Sequence, residues 1–130
     1  IASGAYELAL KYSKERKAFG TEICNHQAIA FKLADMYTEI EAARMLVMKS
    51  AWDKDQGNNY DMSSAMAKLY VTDASFEVAN TCLQLHGGYG YLSDYGIEKI
   101  VRDLRVHQIL EGTNEIMRMI ISRQMLSDRG

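Results

Sequence analysis

This 130-residue chain predicts an all-α, up-and-down helical bundle of four long helices and a shorter one. Three observations carry that expectation. The chain has no proline. No run sustains the apolar–polar alternation of a half-buried strand, so strands are disfavoured. Apolar residues recur instead at spacings of three and four over long stretches, the signature of helices with one buried face. A chain of this length forms one domain and can bury roughly two thirds of its unfolded surface.

Taken in order, Ile1 to Tyr12 carries apolar residues at 1, 5, 8, 9 and 12. That stripe begins with no cap and no initiator methionine, so the chain is expected to start inside a helix of a longer protein. No targeting signal can be read from it. The first helix should run to about Lys14 or Arg16 and stop at a Phe19-Gly20 turn. Asn25 suits the N-cap of a long second helix reaching Gln56, with Ile29, Leu33, Met36, Ile40, Ala43, Val47 and Ala51 as its seam. Gly57-Asn58-Asn59 is a polar turn. Asp61 then caps a third helix with the stripe Met62, Ala65, Met66, Leu69, Phe76, Ala79 and Leu83. So short a connection predicts antiparallel packing of the second and third helices. A glycine-rich segment, His86 to Gly90, ends the third helix. A fourth helix is expected from about Asp94 to Val106, with Glu98 and Arg102 paired one turn apart. The fifth begins at Thr113 and turns Ile116, Ile120 and Ile121 inward.

A net charge of −2 argues against general nucleic-acid or acidic-membrane binding. No apolar run approaches the roughly 20 residues of a membrane span. Cys24 and Cys82 have neither metal-site spacing nor a disulfide-rich setting, so they read as reduced thiols and no metal is expected.

Three segments hold residues suited to chemistry. In Arg16-Lys17-Ala18-Phe19-Gly20, Arg16 offers a planar fork for phosphate and Phe19 a ring to lie against a cofactor, although a basic helix end before a glycine is also ordinary capping. In Gln84-Leu85-His86-Gly87-Gly88-Tyr89-Gly90, paired glycines let a backbone approach a pyrophosphate, or merely end a helix. In Ile109-Leu110-Glu111-Gly112-Thr113-Asn114-Glu115, a carboxylate sits in an apolar run just before a helix. A dry setting favours its proton uptake, while the positive end of the helix favours the anion. A carboxylate between those pressures can serve as a base, or can be a solvated loop acid. Thr113 caps the final helix, whose free N–H groups can hold a polar ligand edge.

Together these segments, with His26-Gln27 and Arg102-Asp103, resemble the C-terminal helical domain of the acyl-CoA dehydrogenases over essentially the whole chain. The stretches Leu85 to Leu92 and Val106 to Glu115 are most similar to the short- and branched-chain members. The resemblance implies FAD-dependent desaturation of a short or branched acyl-CoA between its α and β carbons. It implies that Glu111 takes the α proton while the β hydrogen leaves as hydride to the flavin. The Glu111 N–H and a flavin ribityl hydroxyl are implied to hold the thioester oxygen, with Gly112 and Arg123 toward the substrate. Arg16, Phe19, Gln27, Gln84, Leu85, His86, Gly87 and Gly88 are implied to meet the FAD of a neighbouring subunit. Thr113, Asn114 and Glu115 are implied to meet the FAD of their own subunit.

A site split in this way implies a homotetramer, or at least a dimer. The resemblance also implies electron-transfer flavoprotein as acceptor and a bacterial cytoplasm or mitochondrial matrix as location. The family's N-terminal helical and central β domains have no counterpart in these residues, so the isolated chain is expected to lack turnover. An acyl-CoA oxidase, or a non-catalytic assembly module of the same fold, would share this pattern. The enzymatic reading depends on where Glu111 lies: a carboxylate in bulk solvent, on the far surface from the glycine-bearing segments, would undo it.

Overall fold

In the computed structural model, which describes residues 1–127, five α-helices run alternately up and down. They are α1 (Ala2–Glu15), α2 (Gln27–Asp55), α3 (Asp61–His86), α4 (Ile97–His107) and α5 (Asn114–Ser127). A two-residue antiparallel ladder, β1 (Lys17–Ala18) with β2 (Thr21–Glu22), joins α1 to a single 3-10 turn at Ile23–Asn25. The expected absence of strands is therefore corrected at this one place. The hairpin is too short for any alternation to be visible, and its turn residues, Phe19 and Gly20, supply the positive φ that such turns require.

α3 is the central element and packs against each of the other four helices. The bond from Tyr70 Oη to Glu39 Oε2, 3.1 Å, and the contact of Cys82 Sγ with Met36 Sδ, 3.6 Å, run in opposite sequence directions, so α2 and α3 are antiparallel. Ala5, Ala9, Ala74 and Ala79 are buried where helices cross, and such small side chains let backbones approach closely. Leu33, Met36, Val78, Cys82, Leu85, Ile97 and Leu104 complete the core. Burial pushes the Cys82 thiol up to about 12, so it stays protonated and inert.

Several local expectations change. Asn25 does not cap α2; it closes the 3-10 turn, its amide donating to Thr21 Oγ1 (2.8 Å), and His26 occupies the N-cap. Asp61 lies inside the first turn of α3, where its own N–H is accepted by Asn59 Oδ1 at 2.9 Å. The α2 seam is buried through Leu33, Met36 and Ala43, but Val47 and Ala51 are exposed and Asp53 is buried in their stead. In α3, Met66 is exposed while Ala67, Ala74 and Val78 are buried, because four packed neighbours cover a wider arc than one stripe. Ser93–Tyr95 forms a separate 3-10 turn, so α4 starts at Ile97. Among the described residues, the ion pair along α4 is Lys99 with Asp103, not Glu98 with Arg102. On α5, Met117 and Asn114 face inward; Ile116 and Ile120 are exposed and Ile121 is half-buried.

Asp53 gives one test of the fold. Lys49 Nζ lies 2.9 Å from its carboxylate, and that hydrogen bond holds the Asp53 carboxyl below the usual range. The folded value lies below the unfolded one of about 3.9. The contribution to stability is therefore complete above the ordinary aspartate range and disappears as pH falls through the lowered value. Urea unfolding followed against pH should show this acid loss, and Asp53→Asn should flatten it.

Candidate functional site

Two groups of the expected residues are formed, one at each end of α3. The first begins where α1 stops. Lys17 pairs with Glu22 across the hairpin at 3.4 Å, and His26 Nε2 donates to the Ala18 carbonyl at 2.9 Å. These contacts pin the Phe19-Gly20 turn, with Phe19 at φ 55° and 97% exposed. Arg16 is also exposed, its guanidinium 5.5 Å from the centre of the Tyr89 ring. Arg16, Gln84, Gly87 and Gly88 line a shared open cavity of about 490 Å³. Gln27 is exposed at the start of α2.

Within this group His86 and Leu85 are buried. The His86 ring stacks on Tyr12, with centroids 4.3 Å apart, and its Nδ1 lies 2.7 Å from the Cys82 carbonyl. A carbonyl oxygen only accepts, so Nδ1 carries the proton and Nε2 is the ring's remaining polar atom. Gly87 has φ 59°, which explains it as the residue that ends α3. Gly88 is different. It lacks a left-handed φ, and a Cβ built there meets nothing within 4 Å. Neither strain nor crowding inside the chain calls for glycine at that position; close approach from outside would.

The second group is the loop from α4 to α5. Glu111 has φ 57° and Gly112 φ 90°. Among the described residues, Phe19 and Glu111 are the non-glycine residues with left-handed backbone, one in each candidate site. A bulky residue in that region costs about 1–2 kcal/mol and is kept only where its surroundings hold it. Thr113 Oγ1 accepts from the Ile116 N–H at 3.3 Å, which caps α5 as expected. Asn114 is 4% exposed, and its side chain is fully engaged inside the chain. Glu115 is exposed in the first turn of α5, and Arg123 is exposed further along.

The dry setting expected for Glu111 is absent from this chain. Glu111 is exposed, and so are Ile109 and Leu110. The loop is fastened through its polar residues, which leaves its apolar side facing outward. Nor does one chain bring Glu111 to the glycine segment. Lys68 holds the Glu111 loop, and His86, beside Gly87, lies 18 residues further along α3, about 27 Å at the helical rise. Within the described residues, the arrangement set against the enzymatic reading is therefore the one found: Glu111 is exposed and lies at the other end of α3 from Gly87 and Gly88.

Tyr12 and Tyr95, outside every motif, join Tyr89 of the glycine segment in an aromatic floor around His86 and Arg16. Lys68, Thr72, Asp73 and Gln108, which hold the Glu111 loop, were equally unmarked; their contacts to Asn114 or across α3 span 35 to 46 residues.

A five-helix bundle of this order is the fold of a C-terminal helical domain found within longer proteins. Residues 1–126 match the family described as acyl-CoA dehydrogenase, C-terminal domain, and the chain belongs to that family. It is 45% identical over 128 residues to mitochondrial isobutyryl-CoA dehydrogenase of Bos taurus, covering 98% of this chain and 31% of that protein. It is 44% identical over 126 residues to the caffeyl-CoA reductase-Etf complex subunit CarC of Acetobacterium woodii, covering 97% and 33%. The solved butyryl-CoA dehydrogenase of Megasphaera elsdenii superimposes with a TM-score of 0.94 at 42% identity, covering 96% of this chain and 33% of that one. The chain thus spans about a third of the length of the relatives it matches. No helix among the described residues is long and apolar enough to cross a membrane.

Proposed function

We propose that the protein carrying this chain is an FAD-dependent acyl-CoA dehydrogenase acting on short or branched acyl-CoA thioesters, with Glu111 as the base. The observation that carries this reading, against the exposure of Glu111 in this chain, is the match of residues 1–126 to the acyl-CoA dehydrogenase C-terminal domain, with the left-handed backbone of Glu111 at the mouth of α5 as its local support. The α C–H beside a thioester is a weak acid, so its removal needs a carboxylate strengthened by loss of water. In this reading the bound acyl chain and the parts of the protein beyond these residues cover Ile109, Leu110 and Glu111. Glu111 accepts the α proton, and its backbone N–H stabilises the developing enolate oxygen. Gly112, whose left-handed φ calls for glycine, and Arg123 are assigned toward the substrate.

Arg16, Phe19, Gln27 and the Gln84 to Gly88 segment fit the pyrophosphate and adenosine half of an FAD held by a neighbouring subunit: an Arg fork, and a glycine cradle that a Cβ at Gly88 would fill. Thr113, Asn114 and Glu115 stand toward the FAD of their own subunit, with Thr113 and Asn114 shaping the loop. When bound, FAD supplies the acceptor for the β hydride. This division requires a homodimer or tetramer and accounts for the separation of the two sites along α3. It further implies family domains outside these residues, N-terminal helical and central β, as the cradle of the flavin ring.

Electron-transfer flavoprotein is the proposed acceptor, supported by the relative named as an Etf-complex subunit. The same relative is a reductase by name, which favours one second reading: the residues run in reverse, with Glu111 returning a proton to the α carbon of an enoyl-CoA. The deciding experiment is anaerobic mixing of the full-length protein with isobutyryl-CoA and butyryl-CoA. Bleaching of the flavin with formation of the enoyl-CoA is expected. Peroxide release in air would assign an oxidase, turnover only from reduced flavin and enoyl-CoA a reductase, and no flavin chemistry at all an assembly module.

A further inference from the structure

We propose that Lys68, on α3, is a positioning residue for the Glu111 base, an inference that rests on the reading of Glu111 just given. Its Nζ donates to the Gly112 carbonyl and to Asn114 Oδ1, both at 2.7 Å. The Gly112 carbonyl belongs to the peptide that follows two consecutive left-handed residues, Glu111 and Gly112. An ammonium bonded there fixes the plane in which the loop leaves Glu111, and its second bond ties that plane to a buried amide.

Asn114 is in turn immobile. Its Nδ2 donates to Asp73 Oδ1 at 2.7 Å and to Thr72 Oγ1 at 2.9 Å. Asp73 Oδ1 also accepts from Gln108 Nε2 at 2.8 Å, and the Gln108 carbonyl accepts from the Asn114 N–H at 3.0 Å. Both feet of the Gln108 to Asn114 loop are thereby bound to α3 through one carboxylate oxygen. Lys68 is the sole contact of this network that reaches the crown of the loop, among the hydrogen bonds of the described residues. Charge-assisted bonds of this kind are the stronger ones, and two of them help hold a backbone that is otherwise strained. Removing them lets Glu111 relax toward an ordinary φ, which displaces its carboxylate without changing its chemistry.

The test uses the full-length protein with Lys68→Met, Lys68→Arg and Glu111→Gln. Lys68 is only partly buried on the outside of α3, so its loss leaves the core intact. Lys68→Met is expected to keep its FAD and its fold, with a slightly lowered thermal midpoint, but to reduce its flavin with acyl-CoA about tenfold to a hundredfold more slowly. KM should stay within about twofold, because the loss falls on the reacting geometry. Lys68→Arg, able to reach both acceptors, should recover most of the rate. An unchanged rate in Lys68→Met, a change confined to KM, or loss of FAD or of the fold would each overturn the proposal, the last by making the network scaffold only. If Glu111→Gln keeps its turnover, the assignment of the base fails first and the role of Lys68 goes with it.

Discussion

Glu111→Gln in the full-length protein is expected to lower the rate of flavin reduction by a saturating acyl-CoA on the order of 10²–10⁴-fold while FAD content stays unchanged. That range is what a positioned general base contributes to proton abstraction from carbon. The substitution isolates the chemistry. Glutamine has the shape of glutamate, is not branched at Cβ, and places no new demand on a backbone already at φ 57°. The backbone N–H proposed to hold the thioester oxygen is untouched. Acyl-CoA should therefore still bind with nearly the same affinity, and exchange of its α hydrogens with deuterated solvent should stop. Stopped-flow absorbance and mass spectrometry of recovered substrate measure the two effects. Retention of most of the turnover would remove Glu111 from the role and leave its exposure in this chain as that of an ordinary loop acid.

How far the sequence reveals this molecule depends on the range of the interaction concerned. Five helices, their order and their antiparallel packing follow from apolar spacing and short polar turns, which are local properties. The ends of helices were less legible. Asn25 and Asp61 have the right chemistry for caps, yet the chain places each boundary one residue away because a hairpin and an Asn59 turn compete for the same groups. The buried arc of α3 was misread in part, since a central helix is covered from several directions and loses a single polar face. Both candidate site segments were visible as motifs, but their separation along α3 was not, because it is a property of the assembled bundle. Lys68 is the clearest case: a lysine on a helix looks solvated until a loop 44 residues away arrives on it. The exposure of Glu111 has the same cause in reverse, for the apolar residues beside it suggest burial, while distant polar contacts from α3 hold the loop with Ile109, Leu110 and Glu111 facing outward.

Phe19→Asn should move stability and cofactor retention in opposite directions. Phe19 and Gly20 both have positive φ at a two-residue hairpin turn, where asparagine followed by glycine is the favoured pair. Phenylalanine there strains the backbone by about 1–2 kcal/mol, and its ring recovers little, being 97% exposed with one edge-on contact to His26 at 6.0 Å. In the apoprotein, asparagine is therefore expected to raise stability by about 1 kcal/mol, read as a higher urea midpoint with unchanged slope. If the ring is a wall for a neighbouring subunit's FAD, the holoprotein loses the burial of that ring, about 1.5–3 kcal/mol. FAD release should then be about ten- to a hundredfold faster, measured by dilution and recovery of flavin fluorescence. A contact outside the chain would account for a ring kept at a cost to its own hairpin and exposed so completely. A Phe19→Asn protein that is more stable and equally retentive of FAD would show that the ring serves no cofactor, and would leave Arg16 and the glycine cradle to hold the pyrophosphate without it.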